Sequence, residues 1–253
     1  MKNLVLSPHY DDAVLSCGGM IKLKGKETSV ITVFAGRYDG LTAWDKTCGL
    51  NAIQNPPEIR RAEDKNALLS LGCGSYGYLD YFEEDAIPLI KDAEILKKYG
   101  SEADLKEDLY AVINKSGAEN IYFPLGIKNK DHIRIRNAAL ILIKNNRLGD
   151  KRCFFYEDFP YTADKNEYSK ALEEIRENFI LEQSAMNIKP VLKDKISAIL
   201  KYKTQIKSIF GTDKARQVEK SILSVQNKIN YFIYLFSGIV LKSKEQYWLI
   251  KNK

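Results

Sequence analysis

Short apolar segments alternate with helical segments along the first 160 residues, and this alternation restricts the chain to few folds. The runs "NLVL", "TSVITVFA" and "NIYFP" are apolar or β-branched, as is typical of buried strands. The segment "PEIRRAEDKNALLSLG" has apolar residues at helical spacing, a proline at its start and a glycine at its end. Strands that alternate with helices pack as a mostly parallel sheet with helices on both faces. We therefore predict an α/β fold, a Rossmann-like three-layer sandwich.

The last third of the chain has a different pattern. The segments "VLKDKISAILKYKTQIKSIF" and "ARQVEKSILSVQNKINYFIYLFSG" each read as one long helix, and "IVLKSKEQYWLI" reads as a closing strand or one arm of a hairpin. No linker rich in proline, glycine and serine separates this part from the rest. We predict a single domain over 1–253, with an α/β core over 1–160 and a C-terminal helical cap with a closing strand over 161–253.

Charge and cysteine content narrow the class of protein. The net charge of +6 is a mild excess of 39 basic over 33 acidic residues, which favours a solvated, lysine-rich surface; a modest preference for anionic substrates or membrane surfaces is the alternative, and no nucleic-acid partner is expected. The four cysteines form no C-x-x-C pair, so neither a disulfide framework nor a zinc ribbon is expected. No signal peptide is visible, and the apolar run "YFIYLFSGIVL" is shorter than the roughly 20 residues of a transmembrane helix. We expect a cytoplasmic protein without a transmembrane segment; peripheral membrane contact and the oligomeric state stay open.

Chemistry-bearing side chains follow two of the predicted strands. His9, Asp11 and Asp12 come directly after "NLVL", and His132, the second of the chain's two histidines, comes after "NIYFP" at the start of a helix. Ligands in α/β sheets bind beyond the carboxyl ends of the strands, so these side chains are expected to meet. His9, Asp12 and His132 would leave the fourth position of a zinc site open; of the adjacent Asp11 and Asp12, one can bind the metal while the other accepts a proton from the bound water.

A structural role is the alternative interpretation of the same residues. Either histidine alone is more often a core residue or lies at a helix N-terminus, and Asp11 or Asp12 is a natural helix N-cap. Both histidines, however, lie at strand-to-helix junctions, and each has an aspartate close by in sequence. This coincidence favours the metal site.

The stretch "SPHYDDAVLSCGG" resembles the signature of the LmbE-like or PIG-L zinc deacetylases, which remove N-acetyl groups from sugars. The resemblance continues in the same order through "ITVFAG", "IRRAEDKNALLSLG", "FPLG" with the following "DH", "FYEDFPY" and "KISAILKYKTQ", and so covers most of the chain. It implies an LmbE-like fold and a metal-dependent hydrolase. The implied substrate is a small N-acetylglucosamine-type sugar or glycoconjugate.

The resemblance also implies a role for individual residues. His9, Asp12 and His132 match the ligands of Zn²⁺, although nitrogen and oxygen ligands also accept other divalent transition metals. Asp11 matches the general base that activates the zinc-bound water. Arg60 matches a position that contacts substrate; an ion pair with a nearby carboxylate is the equally weighted alternative for this side chain.

One departure from the family pattern concerns catalysis. The family often has His-x-Asp-His, whose first histidine stabilises the oxyanion or protonates the leaving group, whereas this chain has "NKDH" with Asn129 at that position. Asparagine donates a hydrogen bond to an oxyanion but supplies no proton. Asp131 is then free to orient His132. A catalytically impaired carbohydrate-binding relative is the alternative function. A metal-free nucleotide-binding protein is disfavoured because no G-x-G-x-x-G follows the first strand.

Two further segments are expected to border the implied pocket. Trp44 follows "FAG" in a polar loop and is expected to stack on a sugar, with burial in the core as an equal alternative. Glu157 or Asp158 in "FYEDFPY" is placed near the sugar, although an ordinary strand end is at least as plausible.

Overall fold

A computed structural model describes residues 1–51, 53–226 and 243–253. The strands in these ranges form one sheet. They are β1 (Asn3–Ser7), β2 (Thr28–Thr32), β3 (Ser75–Tyr78), β4 (Asn120–Pro124), β5 (Arg152–Tyr156), β6 (Phe179–Asn187) and β7 (Lys244–Asn252). The order across the sheet is β3-β2-β1-β4-β5-β7-β6.

Helices follow most of the strands along the described chain. They are α1 (Asp12–Lys24), α2 (Ala43–Thr47), α3 (Pro56–Ser70), α4 (Ala93–Gly100), α5 (Glu102–Ser116), α6 (Lys130–Lys144), α7 (Lys165–Arg176), α8 (Leu192–Ile199), α9 (Ile206–Phe210) and α10 (Ala215–Gln226). None of the helices in the described ranges is both long and apolar enough to cross a bilayer.

The sheet is parallel from β3 to β5 and antiparallel at β7. Val5 at the centre of β1 pairs with Val30 of β2 on one side and with Tyr122 of β4 on the other. The chain therefore leaves β1 toward β2 and later returns to its opposite side at β4, which makes β1 and β4 a topological switch point. The predicted α/β fold with a mostly parallel sheet is confirmed.

Alternate residues of β1 enter two different cores. Leu4 and Leu6 pack with Leu109 of α5 and Ile135 of α6, whereas Val5 belongs to a second cluster with residues of α1, α3 and α8. Because successive side chains of a strand point to opposite faces, helices cover both faces of the sheet. This is the three-layer arrangement expected from the alternation of strands and helices.

The adjacent glycines of α1 allow close packing on the C-terminal part of the chain. A Cβ atom at Gly19 would lie 2.3 Å from Cγ2 of Ile188, and one at Gly18 would lie 3.1 Å from Cγ of Lys195. No Cβ is tolerated at the shorter distance without movement of the neighbouring side chain. The "GG" of the first motif thus has a packing function, away from the carboxyl end of β1.

A buried carboxylate joins α1, α8 and β7. Glu245 accepts hydrogen bonds from the backbone N–H groups of Gly19 (2.7 Å) and Met20 (2.8 Å), from Nζ of Lys195 (2.7 Å) and from the hydroxyl of Tyr247 (2.8 Å). The side chains of Lys195 and Glu245 are 0% and 1% exposed. We call Lys195, Glu245 and Tyr247 the Glu245 cluster.

The C-terminal part differs from the prediction in one element. The long helix predicted from Val191 to Phe210 is wrong, since the chain forms α8 and α9 with a turn between them. Tyr202 in that turn is buried, and its hydroxyl contacts the backbone oxygen of Tyr10 (3.0 Å) and Oδ1 of Asp64 (2.8 Å). Burial of this side chain requires the turn, which helical periodicity does not reveal.

The other C-terminal predictions have mixed outcomes. The predicted closing strand is present as β7, which lies between β5 and β6. The helix predicted from Ala215 begins there as α10, but its aromatic continuation lies outside the described residues. The sheet takes strands from both predicted parts, and the single-domain division at residue 160 stays a prediction.

Candidate metal centre

The carboxyl ends of β1 and β4 bring both histidines to one place. His9 and Asp12 lie in the β1–α1 connection and the first turn of α1, and His132 lies in the first turn of α6. One potential ligand atom from each of these three residues lies within 4.8 Å of the other two. The imidazole centroids are 5.3 Å apart. The predicted convergence of these residues is therefore present in the structure.

Asp12 is located between the two imidazoles. Its Oδ2 lies 3.2 Å from Nδ1 of His9 and 3.1 Å from Nε2 of His132, and it accepts a hydrogen bond from the backbone N–H of His9 at 2.9 Å. Burial alone would raise the pKa of the Asp12 carboxyl, but His132 and His9 outweigh burial and lower it below its ordinary value. Asp12 is therefore held as a carboxylate.

His132 is fully buried and has no hydrogen-bond partner for either ring nitrogen among the described residues. Nδ1 lies 3.3 Å from Oδ1 of Asp158, whose other oxygen accepts the backbone N–H of Ile127 at 2.8 Å. Burial lowers the pKa of His132, but Asp12 and Asp158 outweigh this effect and raise it to about 9. The imidazole sits between two carboxylates in a site that favours positive charge.

His9 has a second carboxylate of its own. Its Nε2 lies 3.1 Å from Oδ2 of Asp131, which also accepts the backbone N–H of Glu84 at 3.0 Å. Burial lowers the pKa of His9, but Asp12 and Asp131 raise it well above its ordinary value. When Nε2 donates to Asp131, Nδ1 keeps its lone pair on the side of Asp12.

The expectation that Asp131 orients His132 is therefore wrong. Asp131 and His132 are successive residues of α6, so their side chains diverge by about 100° around the helix axis. Asp131 faces His9, and Asp158, which follows β5, faces His132. The suggestion that Asp158 lies beside the sugar is also wrong, since its side chain is 0% exposed and packed behind His132.

Asp11 lies next to the three-residue cluster and lines the cavity beside it. It occupies the N-cap position of α1, but its side chain makes no capping hydrogen bond in the described part of the chain. Burial, followed by the negative charge of Asp12, raises the pKa of Asp11 to about 7. The capping role considered for Asp11 is thus absent, and its carboxyl is suited to proton transfer near neutral pH.

Asn129 is the N-cap of α6. Its Oδ1 accepts the backbone N–H of Asp131 at 2.8 Å, which leaves the amide Nδ2 as the free end of the side chain. Nδ2 lies 3.4 Å from the hydroxyl oxygen of Tyr161. Both residues line the cavity. The side chain thus offers a neutral hydrogen-bond donor where the family pattern has a histidine.

Arg60 lines the same cavity, although its charge is already paired. The guanidinium is 3% exposed and lies 2.5 Å from Oδ1 of Asp45 and 3.2 Å from Oε1 of Glu83. Burial lowers the pKa of Arg60, but Glu83 and other neighbours raise it above its ordinary value. The ion-pair alternative for Arg60 is therefore present, and contact with substrate remains a prediction.

The cavity has a volume of about 570 Å³, within the range of small-molecule sites. The metal-ligating candidates His9 and Asp12 form its floor, and Trp44 and Gln205 belong to its wall. Nε1 of Trp44 donates to Oε1 of Gln205 at 3.1 Å. Trp44 therefore borders the cavity, as expected for a residue that contacts a sugar. Glu157 is held instead by the hydroxyl of Tyr168 at 2.5 Å.

The donor set of His9, Asp12 and His132 fits a divalent transition metal. Two imidazoles and one carboxylate are the ligands of many catalytic zinc sites, which keep further positions open. Both ring nitrogens of the buried His132 lie close to carboxylates, yet neither contact has hydrogen-bond geometry among the described residues, which is compatible with a ligand that faces a cation. Asp131 and Asp158 occupy the places of carboxylates that orient ligating histidines.

The fold and this donor set are those of a metal-dependent hydrolase. The family model described as "PIG-L: GlcNAc-PI de-N-acetylase" matches residues 4–143, more than half of the chain. The chain belongs to the PIG-L family, as the resemblance of its motifs implied. Its predicted class, an N-acetyl sugar deacetylase, is confirmed.

Similar proteins agree with this class. A 2′-N-acetylparomamine deacetylase of Streptomyces fradiae is 24% identical over 81% of this chain and 73% of its own length. A 2′-N-acetylparomamine deacetylase of Niallia circulans is 25% identical over 97% of this chain and 90% of its own. A deacetylase of teicoplanin biosynthesis has a similar fold, with a TM-score of 0.77 at 20% identity, covering 100% of this chain and 99% of that one. One structure of the teicoplanin deacetylase is described as its zinc-inhibited form.

Sequence reasoning missed two residues at the site. Asp158 was considered only as a contact of the sugar, and Tyr161 was not singled out at all. Tyr161 lies in a turn after β5, and its ring meets that of His132 edge-on at 5.3 Å. Both residues follow the carboxyl end of β5, the strand beside β4, and this position alone marks them as candidates for the site.

Proposed function

We propose that this protein is a metal-dependent hydrolase that removes the N-acetyl group from an amino sugar within a small glycoside. The observation that carries the proposal is the convergence of His9, Asp12 and His132, of which His9 and Asp12 line a cavity of about 570 Å³ together with Asp11. Membership of the PIG-L family supports the same reaction.

His9, Asp12 and His132 would hold the metal, for which zinc is our first candidate. When bound, zinc polarises the acetyl carbonyl and lowers the pKa of the attacking water toward 7. Asp131 fixes the ring of His9, and Asp158 fixes that of His132. These outer carboxylates also raise the basicity of the imidazoles toward a metal.

Asp11 would move the proton. Its carboxyl faces the cavity, and its pKa of about 7 allows it to accept a proton from the attacking water at neutral pH. The protonated carboxyl then returns this proton to the leaving amine, so that acetate and a free amino sugar are formed. Because Asn129 supplies no proton, one carboxyl serves both steps. The amide of Asn129 donates a hydrogen bond to the oxyanion.

The substrate class follows from the cavity and from the relatives. The similar proteins include two 2′-N-acetylparomamine deacetylases. Trp44 supplies an aromatic wall beside the metal ligands, and Arg60, held by Asp45 and Glu83, lines the same cavity. We propose a sugar of the N-acetylglucosamine type, with Arg60 near its hydroxyl groups. Free, unpaired cysteines at all four positions support a cytoplasmic location.

The test is release of free amine from 2′-N-acetylparomamine and N-acetylglucosamine after reconstitution with substoichiometric to equimolar zinc, cobalt, nickel or iron. Asp11→Asn is expected to lower the rate at least about 100-fold with the metal content unchanged. The matched control is Asp85→Asn, which changes an exposed carboxylate on the wall of the same cavity.

Two outcomes would reject parts of the proposal. Wild-type protein that binds these sugars but releases no amine with any metal would be an impaired carbohydrate-binding relative. Equal rates for Asp11→Asn and wild type would remove Asp11 from the proton transfer.

A further inference from the structure

Asn129 stands where the family pattern has a histidine, so the site needs another group that donates a hydrogen bond to the oxyanion. Oδ1 of Asn129 is committed to the N–H of Asp131 as a helix cap. A backbone N–H can only donate, so the opposite end of the amide is Nδ2, and it points toward the hydroxyl of Tyr161 at 3.4 Å. Asn129 therefore contacts a hydroxyl-bearing side chain, that of Tyr161, through its amide nitrogen.

Tyr161 is held against the metal ligands. It begins a one-turn helix over Tyr161–Ala163, in which Thr162 donates its N–H to the backbone oxygen of Asp158 at 3.1 Å. The ring contacts His132 edge-on, with an interplanar angle of 83°. Tyr161 lines the same cavity as His9 and Asp11. The segment that carries Tyr161 is therefore tied through the backbone to Asp158, the residue whose carboxylate orients His132.

The direction of the hydrogen bonds leaves the phenolic proton available. The amide of Asn129 donates, so the hydroxyl oxygen of Tyr161 accepts. Within the described residues, this hydroxyl donates to no recorded acceptor. A phenol that accepts one hydrogen bond becomes a better donor through its own O–H. A donor of this kind near the ligands is suited to an oxygen that gains negative charge.

We propose that Tyr161 is a catalytic residue whose hydroxyl donates a hydrogen bond to the acetyl oxygen as it becomes an oxyanion, and that Asn129 orients this hydroxyl. This inference rests on the proposed function and deepens it. Tyr161 and Asn129 together supply the neutral stabilisation, and proton transfer stays with Asp11. The role applies to the transition state, so it affects turnover more than substrate binding.

The central experiment compares wild type with Tyr161→Phe, which keeps the ring that packs on His132. We expect kcat to fall about 100-fold while KM changes less than about threefold, as for loss of one oxyanion donor. Zinc content and thermal stability stay unchanged. The matched control is Tyr110→Phe on α5, whose ring lies under the guanidinium of Arg147 and lines no part of the cavity.

A binding measurement supplements the kinetics. The probe is the methylphosphonamidate of glucosamine, in which tetrahedral phosphorus replaces the acetyl carbon. Tyr161→Phe is expected to weaken binding of this probe by about the same factor as kcat, and to leave binding of glucosamine unchanged. Asn129→Ser, which retains a capping oxygen, tests the orienting role. Its effect combined with Tyr161→Phe is expected to be less than additive.

The outcomes separate the inference from the proposed function. Active wild type with an equally active Tyr161→Phe variant overturns the inference alone, as does equal binding of the phosphonamidate by both. Wild type that neither releases amine nor binds the phosphonamidate overturns the proposed function and the inference together.

Discussion

Two buried charged clusters lie along helix α1, and they differ in how their charges are satisfied. In the Glu245 cluster, the carboxylate of Glu245 receives four hydrogen bonds near the middle of the helix. At the N-terminus, Asp12 lies between His9 and His132, and the ring nitrogens of His132, 3.1 Å from Asp12 and 3.3 Å from Asp158, make no contact with hydrogen-bond geometry among the described residues. A cluster with complete hydrogen bonding holds helices and strands together, whereas an incomplete cluster of metal-ligating side chains is suited to a cation.

The contrast also separates two functions of the family motif. The histidine and aspartates at its start belong to the incomplete cluster, and the glycines at its end pack against the complete one. One short stretch of sequence therefore contains both the candidate metal ligands and the glycines that pack β7 and α8 onto α1. Variants of the two clusters are expected to affect different measurements.

The largest expected effect on stability comes from Glu245→Gln. This change leaves the buried ammonium of Lys195 without its counter-ion, so the free energy of unfolding is expected to fall by about 3–5 kcal/mol. Urea unfolding of the metal-free protein measures it. The matched control is Glu182→Gln, which breaks an ion pair with Lys251 whose side chains are both 52% exposed, and it should cost less than about 1 kcal/mol. Equal losses for the two variants would contradict the contrast.

A smaller effect is expected from the metal. Zinc at one hundred times its dissociation constant should raise the free energy of unfolding by about 2.7 kcal/mol, because it binds the folded chain. His132→Ala should abolish this increment, since it removes one of the three ligands, and Glu182→Gln should retain it. Unfolding in zinc and in chelator gives both values for each variant. An undiminished increment in His132→Ala would place the metal elsewhere.

Per pH unit, the smallest effect is the dependence of zinc affinity on pH, about 1.4 kcal/mol for a tenfold change. The pKa of His132 is raised from 6.5 to about 9, so its proton stabilises the metal-free fold below pH 6.5, and this stabilisation is lost as pH rises through about 9. Zinc must displace that proton, so its affinity should rise with pH over this range, by about tenfold per unit while one proton is released. Calorimetric titration in buffers of different ionisation enthalpy measures both quantities. Affinity that is flat from pH 6.5 to 9 would contradict the prediction.

The sequence predicted the parts of the fold and site that depend on local pattern. The runs that became β1 and β4 are short and apolar, and the positions after them hold His9 and His132, so their convergence followed from the rule for parallel sheets. Asp11 and Asp12 also come directly after β1, so the same rule predicts their position at the site.

Contacts between distant segments were not predictable in this way. Asp131 pairs with His9 and Asp158 pairs with His132. This pairing depends on the rotation of α6 about its axis and on the path of the chain after β5. Arg60 pairs with Asp45 and Glu83 from separate segments. The turn at Tyr202 depends on a pocket formed by α3 and the β1–α1 connection, which periodicity within the C-terminal part does not record.

The position of β7 has a consequence for synthesis. This strand comes after every other strand in the sequence but lies between β5 and β6, with antiparallel pairing on both sides. As the chain leaves the ribosome, β6 emerges well before the strand that connects it to the sheet, and one edge of β5 stays bare during the same interval. Unpaired edges of this kind are sites of aggregation. We therefore expect nascent chains paused before residue 244 to associate with chaperones, while the five parallel strands from β3 to β5 have already assembled.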